Sequence, residues 1–293
     1  MASYNVSALP AYVDEHKSEL IGQVVLGPSV TDYFDLWTGV KGNTTINVLD
    51  IDTDDLVQCG ASCGWNDGGG AVLSQRTIKP GIFKINMSIC DKNLLNKYAG
   101  YLVKVEAGKT DADLPFEKEL TDEVIKAVKK TMNGKIWNAT TAGDCGMEGL
   151  LAISDITSVT KAQGQNGVQA VTAAMICAGI KEGEIYLSCS DYFTYVQSLV
   201  NANLYHYNPG QALTDYQVFV PGTNYRVVMA DGLGAGTVFG SASKNIVYAV
   251  DMENGDEQFD LWFSKDNREF RLAIEFVAGV NVKNPALAFK TTY

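Results

Sequence analysis

Residues 44–90 read TTINVLDIDTDDLVQCGASCGWNDGGGAVLSQRTIKPGIFKINMSIC, two extended runs around a glycine-rich turn. The outgoing run carries Ile46, Val48 and Leu49, and the return run carries Ile78, Ile82, Phe83, Ile85, Met87 and Ile89. Residues 60–70 between them hold five glycines, which bury no side chain and lose the most entropy on ordering. Because a two-stranded ribbon is marginal in isolation, the pattern predicts a long hairpin that lies on its own subunit or on a neighbour.

Two helices are predicted on either side of this hairpin. In residues 1–35, Pro10 suits a first helical turn, and an apolar stripe follows until Gly22, Gly27 and Pro28 break the pattern. The stripe consists of Tyr12, Val13, Leu20, Ile21 and Val24. From Phe116 to Trp137, apolar residues again recur at helical spacing, which at ~1.5 Å per residue predicts a rod of about 30 Å.

The second half of the chain alternates between helix and strand patterns. Helices are predicted over 167–178 and 191–204, the second capped by Ser190 or Asp191. Strands are predicted over 184–188, 216–220, 225–230, 246–250, 259–264 and 269–277. The last of these alternates cleanly, with Phe270, Leu272, Ile274 and Phe276 on one face. The fold class is therefore α+β, in one elaborate domain or two intertwined ones.

Composition excludes several classes of function. The net charge of −11 and the absence of any Lys and Arg run argue against direct recognition of nucleic acid. No segment approaches the ~20 apolar residues that span a bilayer, and the first residues do not resemble a signal peptide. We therefore expect a soluble cytosolic product that does not contact a membrane.

Six cysteines are scattered without a repeating spacing, and in a reducing cytosol we expect free thiols that are mostly buried. The local pair Cys59 and Cys63 leaves a structural zinc as a minor alternative, because the chain offers only His16 and His206 as imidazole ligands. Residues 50–55 begin like a calcium loop, but its sixth and twelfth positions are Asp55 and Ala61. We predict no metal and no cofactor.

The best enzymatic motif is Gly60-Ala61-Ser62-Cys63-Gly64, which matches the nucleophile elbow of hydrolases. The elbow needs a helix after the serine, and residues 65–70 are too glycine-rich to start one. His206 is the sole base in the right chain order, and His16 is expected on a solvated helix face. We interpret the motif as a chance match and predict no catalytic residue.

Two glycine motifs also fail as nucleotide-binding loops. The turn at Gly108-Lys109-Thr110 lacks the first glycine of a P-loop, since position 103 is Val103. Residues 232–236 lack the third glycine of a dinucleotide fingerprint and are predicted to be a loop before a strand. The sequence therefore indicates a structural protein and not an enzyme.

The order of these elements is informative as a set. An arm and a long hairpin are followed by a long helix ending in Lys135-Ile-Trp137 and by a compact α/β part with Ile185-Tyr-Leu-Ser188. Then come Pro221-Gly222-Thr223, Asn245-Ile-Val-Tyr-Ala-Val-Asp251, Phe259-Asp-Leu-Trp-Phe-Ser264 and Asn267-Arg-Glu-Phe-Arg271. This order, along almost the whole chain, resembles the major capsid proteins of tailed bacteriophages (Caudovirales) with the Hong Kong 97-type fold.

The resemblance implies a division of the chain. Residues 1–35 would form the N-arm, 36–92 the E-loop region, and 93–140 the part of the P-domain that holds the spine helix. Residues 141–235 would form the A-domain, 236–276 the P-domain strands, and 277–293 a C-terminal segment that returns to the A-domain.

The resemblance also implies a function. The chain would be a virion protein that self-assembles, as pentamers and hexamers, into an icosahedral shell around double-stranded DNA, which it contacts only non-specifically. Assembly would take place in the bacterial cytoplasm, with scaffolding, portal and decoration proteins as further partners. The residues expected to contact neighbouring subunits are Trp65, Gly68, Gly69, Gly70, Tyr12 and Leu20.

Two departures from the family pattern modify this picture. Some members cross-link a Lys of the E-loop to an Asn next door, but residues 50–78 hold no lysine and the nearest is Lys79. We predict no such bond. No long N-terminal extension for a maturation protease is present either, so scaffolding is expected to be a separate protein.

Two alternatives remain at this point. An encapsulin-like compartment subunit would share the fold and would need a groove for cargo peptides. A hydrolase using Ser62 would need an acid–base apparatus that the sequence supplies poorly. Fold-level analogy does not choose between shell and compartment.

Overall fold

A computed structural model of the protein describes residues 8–25, 30–51, 71–90, 100, 116–204, 218–251 and 259–292. Its helices are α1 (Ala8–Val25), α2 (Phe116–Asn138), α3 (Gly167–Cys177) and α4 (Cys189–Asn201). Its strands are β1 (Asp35–Thr38), β2 (Thr44–Ile51), β3 (Ala71–Ile78), β4 (Gly81–Cys90), β5 (Thr157–Ser158), β6 (Gly183–Leu187), β7 (Val218–Phe219), β8 (Tyr225–Met229), β9 (Thr237–Ala242), β10 (Ile246–Asp251), β11 (Phe259–Ser264), β12 (Glu269–Val282) and β13 (Ala288–Thr292).

The N-terminal helix α1 is confirmed, and it runs through Gly22, one of the three residues expected to break the helical pattern. It continues to Val25, because Val13, Leu20 and Val24 all lie buried on one side of it. These residues pack against α2 and β11, and such packing outweighs the roughly 1 kcal/mol that a glycine costs inside a helix.

The long helix α2 is also confirmed. Its buried residues recur at helical spacing, as the sequence predicted, and form the stripe Ile125, Val128, Met132, Ile136 and Trp137. Lys135 lies in the last turn, where a cation interacts favourably with the helix dipole. The helix therefore contributes one continuous row of side chains to the main core.

The first sheet covers this helical layer. Its strand order is β1-β10-β12-β11. β4 also pairs with β12, along the edge that β11 does not occupy. The predicted alternation of β12 is confirmed, since Phe270, Leu272, Ile274 and Phe276 are all buried. The last three of these lie in the core that α1 and α2 share. β12 runs to Val282, beyond its predicted end, because its second half pairs with β10.

The predicted return strand of the hairpin is wrong in its position. β2 pairs with β3, from Thr44 opposite Ile78 to Ile51 opposite Ala71, while β4 pairs with β12 in the first sheet. The apolar residues of β4 mark a strand that packs on the core: Phe83 is buried, and Ile85 and Met87 pack against the same cluster. The sequence predicted that the return strand of the hairpin begins at Ile78. In the structure, Ile78 is instead the last residue of the return strand β3.

The second sheet has the order β5-β13-β9-β6-β8-β7, and α3 and α4 pack on it. Both helices begin at side-chain caps. Asn166 and Gln169 form a capping box at α3, whereas Ser188 caps α4 by accepting from the Asp191 N–H. The predicted caps of α4, Ser190 and Asp191, are therefore wrong because the helix begins earlier.

Residues 232–236 form the turn before a strand, as predicted, and that strand is β9. β9 pairs with β6 and β13 in the second sheet, although the resemblance grouped residues 236–276 together. No helix in the described residues is long and apolar enough to cross a membrane.

Candidate functional site

The hairpin of β2 and β3 forms a sheet of its own, and its base joins a core. Ile46 and Ile78 are 4% and 0% exposed, and they pack with Val40, Val247 and Ala249 against the first sheet. Farther along, Asn47 and Gln75 face solvent and bond to each other across the strands at 3.1 Å. Eight residues at ~3.3 Å each make a ribbon of about 25 Å, anchored at one end.

A polar cluster reinforces this anchor. Arg76 Nη1 donates to Asp155 Oδ2 at 2.9 Å, and Nη2 donates to Asn281 Oδ1 at 3.4 Å. Asn281 Nδ2 in turn donates to the carbonyl oxygen of Thr77 at 2.9 Å. Hydrogen bonds from Arg76 and Ser154 hold the pKa of the Asp155 carboxyl below its usual value. We call Arg76, Asp155 and Asn281 the hairpin clamp.

The residues predicted to contact neighbours fall in two places. Trp65, Gly68, Gly69 and Gly70 lie outside the described residues. Tyr12 and Leu20 lie on α1, where Leu20 is 3% exposed in the core of its own chain and Tyr12 is half-buried against it. Their contact with another copy stays a prediction, and in this conformation Leu20 offers a neighbour almost no surface.

His16 does not lie on a solvated face, contrary to expectation. Its ring stacks on Tyr12 with centroids 4.4 Å apart, and Nδ1 lies 3.0 Å from the Tyr12 carbonyl oxygen. The side chain is half-buried. Its role is therefore to pack on the helix that carries it.

Several large apolar side chains are exposed, and the sequence analysis did not identify them as a surface. Phe193 and Val200 of α4 are 62% and 54% exposed, while Tyr195 and Leu199 of the same helix are buried. A groove of about 570 Å³ between α3 and α4 also exposes Ile176 and Leu204. The sequence of α4 did contain a signal for this surface. A helix that buries only one face needs apolar residues on that face alone, but α4 carries them on both faces. Ile176 and Leu204 line this one groove, and exposed apolar side chains that form a contiguous patch are typical of contact surfaces.

Comparison with protein-family models finds no match, and comparison with curated proteins finds none either. Solved structures do match along most of the chain. A virus-like particle from Pyrococcus furiosus matches with a TM-score of 0.53 at 10% identity, over 96% of this chain and 99% of that chain. A capsid of a native GTA particle matches with a TM-score of 0.56 at 10% identity, over 92% and 90%. Mycobacterium phage Ogopogo matches with a TM-score of 0.59 at 13% identity, over 90% and 91%.

The chain has the Hong Kong 97-type capsid fold. The expectation drawn from the order of its sequence elements is thereby confirmed at the level of fold. Because the matches cover nine-tenths or more of both chains, the capsid fold accounts for both sheets and not for one half of the molecule.

In this capsid fold, the described residues bring no catalytic set together. His16, the one described histidine, faces a backbone carbonyl, and no described group of three or more His, Cys, Asp or Glu could hold a metal ion. Ser62, His206, Cys59, Cys63, Gly108 and Lys109 lie outside the described residues.

The prediction that the thiols are mostly buried is wrong for the four described cysteines. Cys90, Cys145, Cys177 and Cys189 are free and exposed, because Cys145 lies in a turn and the other three lie at the end of a helix or strand. Their position indicates no structural role for the sulfur in the core.

The charged groups of the capsid fold fasten segments to one another. Lys283 Nζ lies 2.7 Å from Asp35 Oδ2 and lowers the pKa of that carboxyl, and Lys135 does the same for Asp144. Glu184 differs, because it is buried and accepts a hydrogen bond from Ser243 at 3.0 Å. Burial raises the pKa of the Glu184 carboxyl.

Proposed function

We propose that this protein is the major capsid protein of a tailed phage, whose copies assemble into an icosahedral shell around double-stranded DNA. The observation that supports it best is the capsid fold, which spans at least 90% of this chain and of each of the three matched structures. The assembly of many identical subunits also gives the hairpin and the exposed apolar residues a packing partner.

The hairpin supports this proposal on energetic grounds. A two-stranded ribbon is marginally stable in water, and the apolar cluster that holds this one to the first sheet lies at its base, around Ile46, Val48 and Ile78. A neighbouring copy that covers the ribbon would bury its apolar residues. Repeated around closed symmetry, such modest contacts make a stable shell.

The parts of the capsid fold can be assigned to the structure. We propose that β2 and β3 are the described part of the E-loop, that α2 is the spine helix of the P-domain, and that the first sheet completes that domain. The second sheet with α3 and α4 would be the A-domain. On this assignment β9 and β13 belong to the A-domain, since both pair within the second sheet.

A structural and non-enzymatic role also fits the charge. A net charge of −11 gives DNA phosphates little attraction, so the genome would be enclosed and not specifically bound. Scaffolding, portal and decoration proteins are proposed as further partners, and the host cytoplasm as the place of assembly.

The test is to express the chain alone and to examine it by analytical ultracentrifugation and negative-stain microscopy. We expect pentameric or hexameric rings, tubes or closed shells. A chain that stays a monomer at every concentration, both alone and with the phage proteins encoded beside it, contradicts the proposal. Particles that hold a protein cargo and no DNA in the native host would favour the compartment alternative.

Two variants sharpen this test. Replacing residues 48–74 with an Asn-Gly turn removes the outer hairpin and should leave a folded subunit that no longer assembles. The matched control is Ser62→Ala, which should assemble like the wild type. If Ser62→Ala removed a hydrolase activity of the purified protein, a hydrolase function would gain support.

A further inference from the structure

The hairpin clamp joins three parts of the chain that are far apart in sequence. Arg76 bonds to Asp155, 79 positions later, and to Asn281, 205 positions later. Asp155 precedes β5 of the second sheet, and Asn281 lies near the end of β12 in the first sheet. One guanidinium therefore ties the hairpin to both sheets at once.

The geometry of the clamp restricts how the hairpin can rotate relative to the two sheets, as well as its distance from them. An arginine fork is planar and rigid, so two acceptors on different segments fix its plane. Asn281 holds β3 a second time, through the carbonyl oxygen of Thr77, and its own oxygen also accepts from the Val282 N–H at 2.8 Å. The clamp thus fixes both Arg76 and the neighbouring backbone.

The apolar contacts at the base leave this rotation less restricted. The small cluster of Ile46, Ile78, Val40, Val247 and Ala249 holds the base by contacts that have no preferred direction. Along a ribbon of about 25 Å, a rotation of roughly 5° at the base moves the far end by about 2 Å. Contact surfaces must be held more closely than that to form reproducible interfaces.

We propose that Arg76 is a positioning residue for assembly, which sets the direction in which the hairpin leaves the subunit through Asp155 and Asn281. This inference rests on the proposed function, because direction matters only if the hairpin meets another copy. Without the clamp, the subunit folds, and the hairpin samples a range of directions.

The first experiment compares amide hydrogen exchange in the unassembled subunits of the wild type, Arg76→Gln and Asp155→Asn. We expect amides of β2 and β3 to exchange at least tenfold faster in both variants, with those of α2 unchanged. Asp155 is 59% exposed at its side chain, so Asp155→Asn tests the clamp even if Arg76→Gln folds poorly. Unchanged exchange in the hairpin overturns the inference, whether or not the chain assembles.

The second experiment follows assembly by light scattering and measures particle shape by microscopy. Arg76→Gln should assemble at least tenfold more slowly or into irregular particles, and Arg76→Lys should recover part of the rate because it keeps the charge but not the fork. The control is Arg271→Gln, which removes the 2.8 Å ion pair between Arg271 and Glu269 at the opposite end of β12 from Asn281 and should assemble normally.

The outcomes separate the two claims. If the wild type does not assemble, the proposed function fails, and the exchange data alone decide whether the clamp orients the hairpin. If the wild type assembles and Arg76→Gln matches it in rate and particle shape, the positioning role is wrong. Equal defects in Arg76→Gln and Arg271→Gln would also overturn it, because they would show a general effect of lost ion pairs.

Discussion

The ring of Trp137 lies 5.3 Å from the ring of Tyr186, and this contact joins the end of α2 to a central strand of the second sheet. Phe239 and Phe34 complete the cluster, at 5.5 Å and 6.4 Å from the Trp137 ring. Aromatic rings at these separations contribute about 0.5–1.5 kcal/mol per pair beyond the area they bury. The two sheets therefore share one core.

Trp137→Ala should lower the free energy of unfolding by about 3–5 kcal/mol, because it removes a fully buried side chain from this cluster. Trp137→Phe should cost clearly less, since the indole N–H is buried without a hydrogen-bond partner in the described structure and its loss breaks no bond. Urea denaturation followed by far-UV circular dichroism measures both. Equal losses for the two variants would mean that the indole N–H has a partner.

Gly232 approaches the backbone of α2 so closely that no side chain fits. A Cβ atom there would lie 2.5 Å from the Gly134 nitrogen and 2.6 Å from the Asn133 carbonyl carbon, and φ is +85°. Gly232→Ala should therefore cost more than the 1–2 kcal/mol of a left-handed conformation alone. Gly222→Ala is the matched control, since its φ is +79° with open space around it. Equal losses of stability in urea would show that α2 moves aside.

Leu20 separates packing within the subunit from contact between subunits. Because it is buried in its own chain, Leu20→Ala should destabilise the unassembled subunit by about 2–5 kcal/mol. Glu19→Ala, exposed on the same helix, should change stability by less than about 0.5 kcal/mol. A Leu20→Ala subunit of normal stability that assembles poorly would instead place Leu20 at an interface.

Glu184 should make stability depend on pH in the opposite direction to the paired aspartates. Burial raises its pKa above the ordinary value of 4.5, so the folded state binds this proton more tightly than the unfolded state does. The wild type should gain stability as pH falls from above the folded pKa towards 4.5. Glu184→Gln, which keeps an acceptor for Ser243, should be at least as stable at pH 7, with the difference shrinking over that range.

Thermal melts of both proteins between pH 7 and pH 4.5 measure this effect. Hydrogen bonds from their partners lower the pKa values of Asp35, Asp144 and Asp155, so these residues lose their stabilising charge only below about pH 3.8. The melts stay above that pH, and the aspartates therefore contribute little to the change. A Glu184→Gln protein that is less stable at pH 7 would show that Arg226 and Lys244 compensate the buried charge more than burial penalises it.

Local patterns in the sequence predicted the elements that bury one face. α2 and β12 each carry a long row of apolar residues at a single period, and both were found where the sequence placed them. Short elements were missed. β1, β5 and β13 have only two to five residues each, too few for a period to emerge.

Pairing between distant strands was the part that the sequence could not supply. β4 reads as the return of the hairpin because it follows in sequence, yet it pairs with β12, which begins 179 residues after the last residue of β4 (269 − 90). The hairpin clamp was missed for the same reason. Its three side chains are ordinary surface types, and only the fold brings Arg76, Asp155 and Asn281 together.

One continuous stretch of main chain, residues 269–292, passes through both sheets as β12 and then β13. A force that separates the two sheets would therefore act on the covalent bonds of this segment before the sheets could separate completely. The subunit thus contains a covalent connection between its two sheets, and each end of this connection is held by the backbone hydrogen bonds of a sheet. In the shell that we propose, this connection would carry tension from one half of each subunit to the other through the main chain and not through side-chain contacts alone.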